Sequence, residues 1–149
     1  MNRDPERELA WLELHQVSAL LYDGLSRRLE AEAGMTAAEH DVLWYLANVP
    51  TRRARMSEIA DRLQMTRSGV TRLIDRLEKQ SWVARESPRE DRRTTYAVLT
   101  AEGTQALRRS VPAVWSVRPA MFDDRLTDHD VADLRRVLGK LLHRLDIIS

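Results

Sequence analysis

Apolar residues recur at helical spacing along most of this chain, and a strand-like pattern replaces it in only one short region. Residues 6–33 predict a long amphipathic helix with Leu9, Leu12, Val17, Leu20, Leu21, Leu25 and Leu29 on its apolar face, ended by Gly34. Thr36 starts a second helix, with Glu39 three residues on at the spacing of a capping box. Its apolar positions are Val42, Leu43, Leu46 and Trp44, and Pro50 with the basic loop Thr51–Arg55 closes it. Ser57 is placed to cap a short third helix through Gln64, and Thr66 a fourth through Gln80. Arg85–Glu86 and the β-branched, aromatic stretch Thr95–Leu99 then read as the two strands of a hairpin with a charged tip. Thr100 caps a fifth helix running towards Val117, which Pro112 is expected to kink or interrupt. Thr127 caps the last helix, with Asp130 at its third position. The expectation is a mainly α fold of six helices with a small β-wing.

The last helix carries a seam. Val131, Leu134, Leu138, Leu141, Leu145 and Ile148 step by alternating threes and fours, a heptad pattern that Val137 and Leu142 widen. Such a stripe could face the core of a monomer. The first and last helices are both long for a chain whose middle is already a compact lobe, and this favours packing on a second subunit, a homodimer.

Residues 57–77, SEIADRLQMTRSGVTRLIDRL, have the pattern of a helix-turn-helix. Ile59, Ala60 and Leu63 form the inner face of the first helix, Val70, Leu73, Ile74 and Leu77 that of the second, and Met65 plugs the turn. Gln64 stands where this motif often has glycine. Arg67, Ser68, Thr71, Arg72 and Arg76 are the outward polar residues of the second helix, whose first turns are the part that meets base edges in a major groove. Arginine can bridge guanine O6 and N7, and serine or threonine suits bases or phosphates. Gly69 would let the backbone come close to DNA. Arg72 and Arg76 could instead form surface ion pairs with Asp75 or Glu78.

At the hairpin tip, Arg89, Arg92 and Arg93 lie beside Glu90 and Asp91. Asp91 can hold Arg93 in a fixed pose by a charge-assisted bond, and an arginine so held suits a narrow, electronegative minor groove. Arg89 and Arg92 suit phosphate.

Net charge is only +1 over the 149 residues, but its distribution is informative. Residues 52–93 hold twelve basic and seven acidic side chains, a surplus of five, while the remainder is acidic by four. A basic middle on an acidic scaffold points to an anion-binding lobe. The chain has no cysteine, which excludes disulfides, thiolate zinc sites and thiol redox chemistry. No apolar run approaches a bilayer span and the N-terminus lacks a signal core, so a cytoplasmic protein is expected. There is no glycine-rich phosphate loop, nucleophile elbow or His–carboxylate pair to support an enzyme, and no cofactor is implied. A non-specific architectural DNA protein would call for a more uniformly basic surface.

The segments RLIDRLEKQSWVARE, the DRR tip at Asp91–Arg93 and VLTAEG together resemble the MarR-type (multiple antibiotic resistance regulator) family of winged helix-turn-helix transcription factors. The D-x-R pattern of that family falls on Asp91 and Arg93, and Ser81–Trp82 departs from its usual glycine and smaller apolar residue. The resemblance implies one MarR-like domain over 1–149, with a DNA-binding lobe at 36–99 and dimerisation helices at 6–33 and 100–149. It further implies a homodimer on a palindromic double-stranded operator, with recognition helices about 34–36 Å apart. Such proteins are mostly repressors, and many are released by small aromatic or phenolic ligands. The candidates for a ligand site are Trp11, His15, Tyr22, Trp44 and Trp115, with core or interface aromatics as the alternative. Glu39–His40 resembles part of a zinc site found in some members, which would make a metal-responsive regulator. The paired histidines of that site are absent from the fifth helix, so no metal is expected.

Overall fold

A computed structural model describes residues 4–88 and 94–145. It divides into two compact units, Met1–Val114 and Trp115–Ser149.

The first unit starts with α1 (Pro5–Ala33), capped by the Asp4 side chain with Pro5 in its first turn, and ended by Gly34 in the left-handed region at φ 63°. In α2 (Ala37–Asn48) the predicted capping box is complete. Glu39 N–H donates to Thr36 Oγ1 at 3.3 Å, and Thr36 N–H donates to the Glu39 carboxylate at 2.8 Å. Val42, Leu43 and Leu46 are fully buried, but Trp44 is 49% exposed and does not belong to the core face where the sequence pattern put it.

The supposed loop at Thr51–Arg55 contains a strand, β1 (Arg53–Arg55). Its three residues, RAR, carry no strand signal of their own. They are extended because a paired neighbour, supplied from more than forty residues away, satisfies their backbone groups. β1 runs straight into α3 (Met56–Arg62). Ser57 is therefore inside this helix and not its cap. The helix start is held instead by Glu58, whose carboxylate accepts from Arg55 N–H at 2.7 Å. α4 (Arg67–Lys79) starts at Thr66 as predicted, with Gly69 N–H donating to Thr66 Oγ1 at 3.1 Å.

β2 (Val83–Glu86) and β3 (Tyr96–Leu99) form the hairpin, and β1 pairs on the other side of β3, giving an antiparallel sheet of order β1-β3-β2. Glu86 and Arg55 both face Tyr96 across the ladders. Ala54, Val83, Ala97 and Leu99 point inward onto a core built with Ile59, Val70, Leu73, Ile74 and Leu77.

α5 (Ala101–Met121) is continuous through Pro112, which neither stops nor splits it, and it continues past Val117. A single proline removes one backbone bond, and Ala106, Leu107, Ser110 and Ala113 around it are buried, so packing holds the helix. At its start, Gly103 lies so close to the Trp82 carbonyl that a Cβ there would be 2.0 Å from the oxygen. The second unit holds the end of α5, a 3-10 turn at Asp123–Arg125, and α6 (Asp128–Leu145). Thr127 caps α6, with Asp130 N–H donating to its hydroxyl at 3.3 Å and Thr127 N–H donating to Asp130 at 2.9 Å.

Candidate nucleic-acid interface

The α3–α4 pair is a helix-turn-helix closed by Met65, whose N–H donates to the Ala60 carbonyl at 2.9 Å. The turn passes through Gln64 at φ 52°, the left-handed conformation for which glycine is usual at this point. Gln64 holds it with a side-chain bond from Nε2 to the Asp61 carbonyl at 2.8 Å.

With Val70, Leu73, Ile74 and Leu77 buried, the other face of α4 is fixed outward by helical periodicity. Arg67, Ser68, Thr71, Arg72 and Arg76 are all exposed on it. Their local bonding differs. Thr71 donates back to the Arg67 carbonyl at 3.0 Å, and Ser68 shares a hydroxyl contact with the cap Thr66 at 3.2 Å. Both hydroxyls keep acceptor capacity for a ligand. Arg76 reaches towards α2, its Nε 3.3 Å from Glu39 Oε1, a carboxylate that is almost fully buried. Gly69 is occupied from within, since a Cβ there would meet Thr66 Oγ1 at 3.2 Å and Met65 Cε at 3.3 Å. The small residue thus leaves room for the cap and the turn plug.

Neither Asp75 nor Glu78 pairs with Arg72 or Arg76. Both are taken by Arg85 of β2, at 2.7 Å each, and Arg85 also donates to the Thr71 carbonyl at 3.2 Å. This ties the first strand of the hairpin to the middle of α4. In the sequence Arg85 reads only as a strand residue, because seven positions and the end of α4 separate it from Glu78. On the outer face of the sheet, the guanidinium groups of Arg53 and Arg55 lie 4.9 and 6.0 Å from the centre of the Tyr96 ring. Arg89, Asp91, Arg92 and Arg93 lie outside the described residues.

Residues 33–94 match the sequence profile of the MarR family. The chain is 34% identical over 130 residues to the HTH-type transcriptional regulator PrsX of Escherichia coli, a stretch that spans 87% of this chain and 76% of PrsX. The chain belongs to the MarR family of transcriptional regulators. Among solved MarR-family structures, Sco3205 from Streptomyces coelicolor, determined in complex with DNA, matches with a TM-score of 0.84 at 34% identity, over 98% of this chain and 89% of its own. A mutant MarR from E. coli complexed with operator DNA matches with a TM-score of 0.77 at 25% identity, over 94% and 99% of the two chains. As a MarR-family protein this chain is a DNA-binding transcriptional regulator and not an enzyme.

The aromatic candidates are dispersed among different settings. Trp11 and His15 meet edge to face with ring centroids 4.4 Å apart, on an exposed part of α1. Tyr22 is exposed, and its phenol is pushed above the usual tyrosine value by burial of the hydroxyl and by the charge of Asp41. In the second unit Trp115 carries the Arg118 guanidinium over its ring at 4.8 Å. Glu39 and His40 are both committed to structural bonds. His40 is buried with Nδ1 2.9 Å from Ser110 Oγ, and that hydroxyl donates to the Leu107 carbonyl at 2.7 Å. Its single proton being used there, Ser110 accepts from the ring, so the His40 Nδ1 carries a proton. Burial lowers the His40 pKa, partly opposed by Asp41. Among the described residues no cluster of three or more potential ligands could hold a metal ion, and no helix is long and apolar enough to cross a membrane.

Proposed function

We propose that this protein is a repressor that binds a palindromic operator as a homodimer, with residues 36–99 as the DNA-binding lobe and residues 6–33 and 100–149 as dimerisation helices. The observation that carries this reading is the exposed polar face of α4, where Arg67, Ser68, Thr71, Arg72 and Arg76 stand over a fully buried apolar face. Arg67, Ser68, Thr71 and Arg72, in the first turns of α4, are assigned to the major groove, and Arg76 is assigned to the DNA contact beside its pair with Glu39. From the sequence pattern alone, Arg93, two positions after Asp91, is assigned to the minor groove, and Arg89 and Arg92 to phosphate. A relative 27% identical over 119 residues, YetL of Bacillus subtilis, is named a transcriptional repressor, which supports repression here.

Dimerisation is supported by apolar side chains left uncovered within each unit. Leu9, Leu12, Val17 and Leu20 of α1 are each 50–58% exposed, and Val137, Leu141 and Leu142 of α6 are 44–61% exposed. Release by a small aromatic or phenolic ligand is supported by the exposed rings of Trp11, His15, Tyr22, Trp44 and Trp115, of which Trp11 and His15 already form a pair. A cytoplasmic location goes with this reading.

Fluorescence anisotropy tests it, with DNA from the upstream intergenic region beside a scrambled duplex of equal length at two salt concentrations. Saturable binding to the native DNA alone supports a specific operator. Equal, salt-sensitive binding to both duplexes would favour an architectural protein.

A further inference from the structure

A cleft of about 440 Å³ opens beside the first turn of α4, lined by Arg55, Met56, Ser57, Arg67, Thr71 and the start of the β3 segment at Thr94 and Thr95. We infer that it is a phosphate-binding notch that seats one phosphodiester of the DNA backbone, with Arg55 as its principal cation. The inference rests on the DNA-binding reading of α4 and extends the interface to a residue outside the helix-turn-helix.

Three features converge on this ligand. Among the described residues the lining includes two arginines and four hydroxyl-bearing side chains, a donor set that matches the two non-bridging oxygens of a phosphodiester. The walls are fixed relative to each other, because Met56 N–H donates to the Thr95 carbonyl at 3.2 Å and so joins the β1–α3 junction to β3. The Arg55 side chain is also oriented, with Nε 3.4 Å from the Tyr96 hydroxyl and the guanidinium over the ring edge at 6.0 Å. A guanidinium held in place loses less conformational freedom when it takes an anion. The same chemistry would accept free phosphate. DNA is the source favoured here because Arg67 and Thr71 belong both to the cleft and to the exposed face of α4, so a strand lying along that face passes the notch.

The test is the salt dependence of DNA binding by full-length wild type, Arg55→Ala, Arg55→Lys and Tyr96→Phe, measured on operator and scrambled duplexes, with thermal unfolding as the check on folding. Arg55→Ala is expected to weaken both complexes by a similar factor, roughly tenfold, and to flatten the log–log salt slope by about one unit per protomer. Arg55→Lys restores the slope, since it restores the charge. Tyr96→Phe removes the hydroxyl partner and leaves the slope unchanged. An Arg55→Ala variant that is folded and keeps wild-type affinity and slope overturns the inference while leaving the α4 reading intact. Wild type that binds neither duplex overturns both. Thermal stabilisation of wild type by inorganic phosphate over chloride at equal ionic strength, lost in Arg55→Ala without a change in DNA slope, would assign the notch to a free anion instead.

Discussion

Arg85 of β2 closes on Glu78 of α4 twice, through its guanidinium at 2.7 Å and through its backbone N–H at 3.1 Å. The same side chain spans to Asp75 at 2.7 Å, so one fork couples the base of the hairpin to the recognition helix. The pairs are partly shielded, with Arg85 only 29% exposed, and are therefore worth more than open surface bridges.

Arg85→Ala is expected to lower stability by about 1–2 kcal/mol in urea unfolding, because it removes the cation from two half-shielded carboxylates and leaves Glu78 with only the backbone N–H of residue 85. Arg85→Lys is expected to recover little of this, since a single ammonium cannot reproduce the fork. DNA affinity should fall with it, as the strand leading to the hairpin tip loses its tie to α4. A variant with wild-type stability and affinity would show that the hairpin is held elsewhere.

Gly103→Ala is expected to be severe, roughly 2–3 kcal/mol or more, because the new Cβ would meet the backbone oxygen of Trp82 at 2.0 Å and the Leu99 side chain at 2.9 Å. Backbone cannot move aside as a flexible side chain can, and here the start of α5 is further pinned by Thr100, whose hydroxyl lies 2.7 Å from the Ser81 carbonyl. Loss of soluble protein, or a large drop in melting temperature, is the expected observation. Wild-type stability would mean that α5 does not lie this close to the turn.

Ser81→Gly should stabilise by roughly 0.5–1 kcal/mol. Ser81 sits at φ 58°, and relief of the left-handed penalty of about 1–2 kcal/mol outweighs the extra chain entropy of glycine in the unfolded state. Gln64→Gly, at φ 52°, is expected to gain less, because the bond from Gln64 to the Asp61 carbonyl is lost. Chemical denaturation of both variants beside wild type reads the difference.

The pH dependence of stability should carry a component from His40. Its folded pKa lies below the ordinary 6.5, so the unfolded chain binds more protons in the interval between the two values. Stability is complete above 6.5 and falls as pH drops through that interval. Asp41, held above its ordinary 3.8 chiefly by burial, contributes the opposite slope from 3.8 up to its raised value. His40→Gln should flatten the acid-side loss measured by unfolding from pH 7 to 5. A parallel pH profile in wild type and variant would remove His40 as the cause.

Leu141→Asp should shift the proposed dimer to monomer in light scattering, since it places a charge in the apolar seam of α6, where Leu141 is 44% exposed in the single chain. A variant that stays dimeric would show that the subunits meet through other surfaces.

Helices with a local signal were legible residue by residue. The Thr36–Glu39 box, the Thr66 and Thr127 caps and the inward faces of α3 and α4 each depend on neighbours within one or two turns, and all are present as read. The seam of α6 was equally plain in its spacing, although Ile148 and the Leu145 side chain lie outside the described residues. Features that depend on distant partners were not legible. Arg53–Arg55 is a strand only because Tyr96–Val98 lies beside it, Arg85 gains its role only when β2 folds against α4, and His40 reveals itself as a core residue only once Ser110 is packed on it. Periodicity and capping chemistry therefore determined which helices form and which face of α4 is polar, because those interactions act over a few residues. Tertiary structure decided the third strand, the Arg85 fork and the Arg55 cleft, because each joins groups that sequence separation hides until the chain has folded.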